Sequence, residues 1–156
     1  MHGKTKVIDA LNDILTAELT AINQYFIHYK MCENWGFPAL AKHKYEESIE
    51  EMKHADVVIG RILFLDGVPN MQRLGPVKVG EDPIEQHELD LALELEAVAR
   101  LNAAIALAVA EGDNGTRELL ERILKEEEES VDWHERQLHL VRTLTKERYL
   151  AEYIRE

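Results

Sequence analysis

ESIEEMKHAD, residues 47–56, is the stretch that decides how this chain folds. Within it Glu51 and His54 stand three positions apart, which on an α-helix puts a carboxylate and an imidazole one turn apart on one face. Glu47, Glu51, His54 and Val58 fall on one helical line, while Met52 lies about 100° away on a neighbouring face. Working outward, Leu11, Leu15, Glu18, Ile22, Tyr25 and Tyr29 follow steps of three and four, one stripe of an earlier helix. Glu94 sits on a third stripe with Ile84, Leu91, Val98, Leu101, Ile105 and Ala108. Glu127 sits on a fourth with Leu120, Ile123, Ser130, His134, Leu138 and Val141. Glu18 and Glu51 are 33 positions apart, as are Glu94 and Glu127, as if one helix hairpin had been used twice.

Four carboxylates on inward stripes are a physical problem. Burying each without counter-charge costs several kcal/mol or forces it to take up a proton. Two divalent cations between the helices remove that cost. Hard carboxylate oxygens with an imidazole suit Fe(II), Mn(II) or Zn(II) better than thiophilic ions. The chain therefore reads as a di-metal carboxylate protein, with iron first among those metals.

Composition bounds the rest. At 156 residues and 17.9 kDa the chain is a single domain, residues 1–156, large enough to bury a core. Eight Gly and four Pro amid abundant Glu, Leu and Ala favour long helices over sheets. The net charge of −12 argues against direct nucleic-acid binding, which needs a basic patch. Cys32 is the only cysteine, so no intrachain disulfide or Cys-x-x-Cys motif is available. The N-terminal MHGKTKVIDALND lacks the apolar region of a signal peptide, and the longest apolar run, Ala103–Ala110, is too short to span a bilayer. A cytoplasmic protein without membrane association is expected.

Punctuation marks four long helices. Gly36-Phe37-Pro38 ends the first and starts the second, which runs to about Leu65. From Asp66 to Pro83, Gly67, Pro69, Gly75, Pro76 and Gly80 break the periodicity. Extended, that stretch reaches roughly 50–60 Å, enough to travel the length of a bundle. Asp82-Pro83-Ile84-Glu85 supplies an acidic cap for the third helix, Gly112–Gly115 make a short turn, and Thr145 is expected to cap a short fifth helix ending near Tyr153.

At these residues the chain resembles the bacterioferritins, the haem-containing branch of the ferritin-like family. The matching text is ELTAINQYF (18–26), ESIEEMKHAD (47–56), ILFLDGVPN (62–70), LALELE (91–96) and the RYLAEYIRE tail (148–156), so the resemblance spans essentially the whole chain. It implies an all-α ferritin-like four-helix bundle with a long crossover between helices 2 and 3 and a short C-terminal fifth helix. It also implies a ferroxidase centre, with one iron on Glu18 and His54, the other on Glu94 and a second histidine, and Glu51 and Glu127 bridging. Tyr25 is implied as a tyrosine near the irons that donates an electron or a hydrogen bond. Met52 is implied as the axial ligand of haem b, shared across a two-fold axis. Trp133 resembles a redox-active neighbour, although packing is the simpler reading for both Trp133 and Trp35.

The resemblance implies iron storage in a 24-subunit shell. Fe(II) is oxidised by O2 or H2O2 and kept as ferric mineral, and a small [2Fe-2S] ferredoxin supplies electrons for release. One ligand departs from the pattern. The expected Glu-x-x-His of the fourth helix reads Glu127-Glu128-Glu129-Ser130, so the second metal loses its nitrogen donor. A strong first site and a weak second one are expected, with His134 read as a packed, hydrogen-bonded core residue rather than a replacement. The alternative is an impaired haem-bearing subunit that depends on a second bacterioferritin subunit for oxidation. Glu46 and Glu50 are candidates to face an internal cavity or simply solvent.

Overall fold

The computed structural model describes residues 1–155, and its elements follow the punctuation. Helices α1 (Thr5–Asn34), α2 (Pro38–Phe64), α3 (Pro83–Ala110) and α4 (Asn114–Leu144) are followed by the short α5 (Lys146–Ala151). Hairpin α1/α2 packs through α1 against α3 of the second hairpin, α3/α4. Pro38 and Pro83 each occupy a first helical turn, where a missing N–H is harmless. Gly36 (φ 87°) and Gly112 (φ 72°) take the left-handed conformation that both hairpin turns need. Asp82 caps α3 by accepting from the Ile84 and Glu85 amides at 2.8 and 3.0 Å.

The crossover is pinned along α1. The Asn70 amide donates to Asn12, Arg73 pairs with Asp13, the Gly75 amide donates to Thr20 Oγ1, and the Gly80 amide donates to His28 Nε2. From Asn12 to His28 is 16 residues of helix, about 24 Å. This segment without secondary structure is thus held by side chains of the helix it covers, which satisfy the amides of Asn70, Gly75 and Gly80.

Two expectations need correction. Thr145 does not cap α5 with its side chain; it occupies the N-cap position at φ 72°, an unusual conformation for a β-branched residue. The kink there turns α5 back so that Tyr149, 1% exposed, docks into the bundle. On α3 the inward line is also displaced. Ile84, Leu91, Val98 and Ile105 are only half-buried, and Gln86, His87, Asp90, Glu94, Leu101, Ala104 and Ala108 face the core.

Along the bundle axis the interior changes character twice. One end is apolar, built on Val7, Leu11, Leu15, Val58, Ile62, Leu101, Leu120 and Ile123. A layer of carboxylates follows. The other end is a hydrogen-bonded network of buried polar groups, flanked by Cys32, Leu40 and Ala41 with Trp35 and Trp133 packed against them.

Candidate metal centre

Each helix delivers its acidic residue to the middle layer. Glu18 from α1, Glu51 and His54 from α2, Glu94 from α3 and Glu127 from α4 are all 5% exposed or less. One donor atom from each of Glu18, Glu51, His54 and Glu127 lies within 4.8 Å of the others, and Glu47, Glu51 and Glu94 form a second such group. His54 Nδ1 faces inward, 2.8 Å from Glu127 Oε1 and 3.6 Å from both Glu18 Oε2 and Glu51 Oε2. Its Nε2 faces outward to Glu126, on the exposed rim with Glu50.

The layer is crowded with charge yet poor in hydrogen bonds. Glu18 Oε2, Glu94 Oε2, both oxygens of Glu127 and His54 Nδ1 are buried without a hydrogen-bond partner among the described residues. Buried polar atoms are normally paired, and an orphan carries a desolvation cost of about 1–3 kcal/mol or more if charged. So many orphans distributed over two donor groups that share Glu51 fit a site shaped for cations.

Without a cation, protons balance the charge. Burial acts to lower the His54 pKa, but the Glu127 and Glu18 carboxylates outweigh it and raise it to about 11. Burial, reinforced by Glu18 and Glu127, holds Glu51 well above the ordinary carboxyl range. Glu127 is raised as well, by burial first.

The Tyr25 hydroxyl donates to Glu94 Oε1 at 2.6 Å, which places it directly against the layer. Burial, with Glu47, Asp90 and Glu51 nearby, keeps that phenol protonated, its pKa raised well above the usual value. Ser130 is buried on the expected line, and its hydroxyl donates to Glu47 Oε2 at 3.2 Å. His134 is turned away from the carboxylate layer. Its Nδ1 bonds the Ser130 carbonyl at 2.8 Å and its Nε2 lies 4.0 Å from Asp90, so it belongs to the polar network. Burial, then the Lys44 charge, lowers its pKa to about 4 and keeps it neutral.

Sequence reasoning missed much of what surrounds the layer. Lys44 is fully buried, 2.6 Å from Asp90 Oδ2 and 3.0 Å from His87 Nδ1. His43 stacks on Trp133 with ring centroids 3.5 Å apart, and its Nε2 lies 3.2 Å from Glu47 Oε1. Met52, as expected from its helical phase, lies outside the layer at 51% exposure. Glu46 and Glu50 are exposed. A cavity of about 260 Å³ beneath the crossover reaches Glu18, Glu51, Glu94 and Glu127 from the α1/α3 side. None of the described helices is long and apolar enough to cross a membrane.

Comparison with known proteins agrees with this architecture. Residues 8–144 match the ferritin-like domain. The chain is 47% identical to a bacterioferritin of Mycobacterium leprae over 99% of its own length and 97% of the relative's. It is 45% identical to one from Streptomyces coelicolor, covering 100% and 93%, and 42% identical to one from Brucella melitensis, covering 96% and 92%. A bundle with four acidic helices meeting in one layer, together with full-length similarity at this level, places the chain in the bacterioferritin family of ferritin-like proteins.

Proposed function

We propose that this chain takes up Fe(II), oxidises it at the buried carboxylate layer and stores the ferric product inside a shell of subunits. The observation that carries the proposal is a pair of adjoining donor groups that share Glu51: Glu18, Glu127 and His54 on one side and Glu94 with Glu47 on the other, with unpaired oxygens on Glu18, Glu94 and Glu127. In this reading Glu18 and His54 hold one iron and Glu94 the other, with Glu51, common to both donor groups, and Glu127 as the bridging carboxylates. Each Fe(II) gives up one electron. Two irons thus supply the two electrons that, with two protons, take O2 to H2O2, or H2O2 to two waters. Tyr25, bonded to Glu94, is placed to steady that carboxylate and to pass a proton or an electron. The cavity beneath the crossover offers a route to the layer.

The test is oxidation of Fe(II) in air by the purified protein, followed by absorbance. Rapid, saturable oxidation at two Fe(II) per chain is expected; a rate no faster than protein-free buffer would sink the proposal. The competing reading, an impaired subunit needing a companion with intact ligands, rests on Ser130 alone. It predicts slow oxidation that recovers when such a companion is added.

Haem b belongs to the same reading. Met52 offers an exposed thioether on the outer face of α2, seven residues after the exposed Tyr45, and would hold the haem together with the same side chain of a second copy. The shell would be a 24-mer located in the cytoplasm, with electrons for iron release delivered by a small [2Fe-2S] ferredoxin. Replacing Met52 with Leu is expected to abolish the haem Soret band without changing the assembly's mass. Stoichiometric haem in that variant would remove Met52 from the ligand set.

A further inference from the structure

The second metal position has lost an imidazole at Ser130, but the surroundings are not short of donors. Glu47, one helical turn before Glu51 on α2, presents a carboxylate oxygen within 4.8 Å of donor atoms from Glu51 and Glu94. Glu94 is 1% exposed, and its Oε2 is unpartnered while Oε1 is fixed by Tyr25. Glu47 itself is hydrogen-bonded from one side and approached by an imidazole on the other. Ser130 Oγ donates to its Oε2 at 3.2 Å, and His43 Nε2 lies 3.2 Å from its Oε1. That His43 nitrogen is buried and misaligned for a hydrogen bond, so it too lacks a formed partner. The His43 ring is fixed by stacking on Trp133 at 3.5 Å, with the planes 12° apart. Between α2 and α4 a cavity of about 360 Å³ is lined by His43, Glu47, Glu51, Ser130 and Trp133, leaving room beside the serine for a ligand to move.

We propose that Glu47 completes the second metal position in this chain, joining Glu51 and Glu94, with Ser130 and His43 as positioning residues that aim its carboxylate. The inference rests on the di-metal reading of the layer and names the ligand that reading lacked. Serine then serves as a donor that orients a carboxylate, a role for which its short hydroxyl is suited, and is not itself a ligand. An all-oxygen position of this kind favours hard ions such as Mn(II) and Fe(II) and disfavours ions that prefer nitrogen or sulfur.

The experiment is Mn(II) titration of the metal-free, assembled protein, with free Mn(II) counted by electron paramagnetic resonance. Wild-type protein is expected to bind two Mn(II) per chain. Glu47→Gln keeps the side chain's shape and is expected to retain the first site within about threefold and to weaken the second at least about tenfold, the lower bound for losing even an outer-shell partner. Two sites of unchanged affinity in Glu47→Gln would overturn the proposal. A single wild-type site that disappears in His54→Ala but ignores Glu47→Gln would also overturn it, while leaving a one-metal layer standing. No bound Mn(II) in wild type would remove the metal-centre reading itself. If Glu47→Gln fails to assemble, anomalous diffraction from Mn(II)-soaked wild-type crystals decides the matter. A second ion bonded to Glu47 supports the proposal, and a second ion without it, or no second ion, overturns it.

Discussion

Replacing Asp90 with Ala is expected to cost the metal-free subunit about 3–5 kcal/mol, the usual penalty for stranding one member of a buried ion pair. Asp90 is fully buried and accepts from Lys44 Nζ at 2.6 Å, His28 Nδ1 at 2.9 Å and Gln24 Nε2 at 2.9 Å. The Gly80 amide donates to His28 Nε2, so the ring proton sits on Nδ1 and points at Asp90. Burial acts to raise the Asp90 carboxyl, but the Lys44 charge beside it prevails and holds it well below its ordinary value of 3.8. The depressed value fixes the sign. Its contribution is fully present above pH 3.8 and is lost only as the pH falls through the still lower folded value.

Lys44 also donates to His87 Nδ1, leaving Nε2–H to donate to the Tyr149 oxygen at 2.9 Å, and Tyr149 in turn donates to Gln137 at 2.7 Å. One carboxylate therefore anchors the crossover, four helices and α5. For a chain of this size the loss corresponds to a fall in Tm on the order of 10 °C, measurable by thermal melting at pH 7. The Lys44→Met, Asp90→Leu double variant should recover much of it, because no stranded charge remains. A loss below about 1 kcal/mol for Asp90→Ala would show that the pair does not hold this end together.

This network also marks where sequence reading stopped. Periodicity placed Glu18, Glu51, His54 and Glu127 inward because each shares a stripe with apolar neighbours such as Leu15, Val58 and Ile123. On α3 the same logic followed Ile84 and Leu91 and so chose a line rotated from the true one. Stepping back from Glu94 by four and three reaches Asp90 and His87, both fully buried, so an acidic anchor was the better guide than the leucines. Lys44 gave no such signal. A lysine on a helix reads as solvent-facing, since its burial depends on a partner 46 residues away in sequence. Gln137 was hidden for the same reason, its place in the core set by Tyr149 and Tyr153 on the returning C-terminal segment. Thr145 failed as a cap because the chain needed a sharp reversal there, and a local hydrogen-bond preference does not reveal where a later tyrosine must dock.

His54→Ala is expected to weaken the first metal site by at least about 10–100-fold, because a direct ligand matters no less than the outer-shell partners for which such losses are typical. Fe(II) oxidation should fall in parallel. The stronger discriminator is the count of protons. In the metal-free protein at pH 7, His54 is an imidazolium enclosed by Glu18, Glu51 and Glu127, and burial pushes the Glu51 and Glu127 carboxyls upward. Cations must expel the His54 proton along with any held on the raised acids, so binding should release at least about one per chain and weaken as pH falls. The raised His54 value also sets a stability trend without metal. Its contribution is complete below pH 6.5 and is lost as the pH climbs through about 11, the opposite direction to Asp90. Calorimetric titration with Mn(II) in buffers of different ionisation enthalpy reads the release directly. In His54→Ala it should drop by about one proton per chain. An unchanged release would mean that the imidazole was never the group holding the charge of the carboxylates in check, and the cation would then have to be balanced by proton loss from the acids alone.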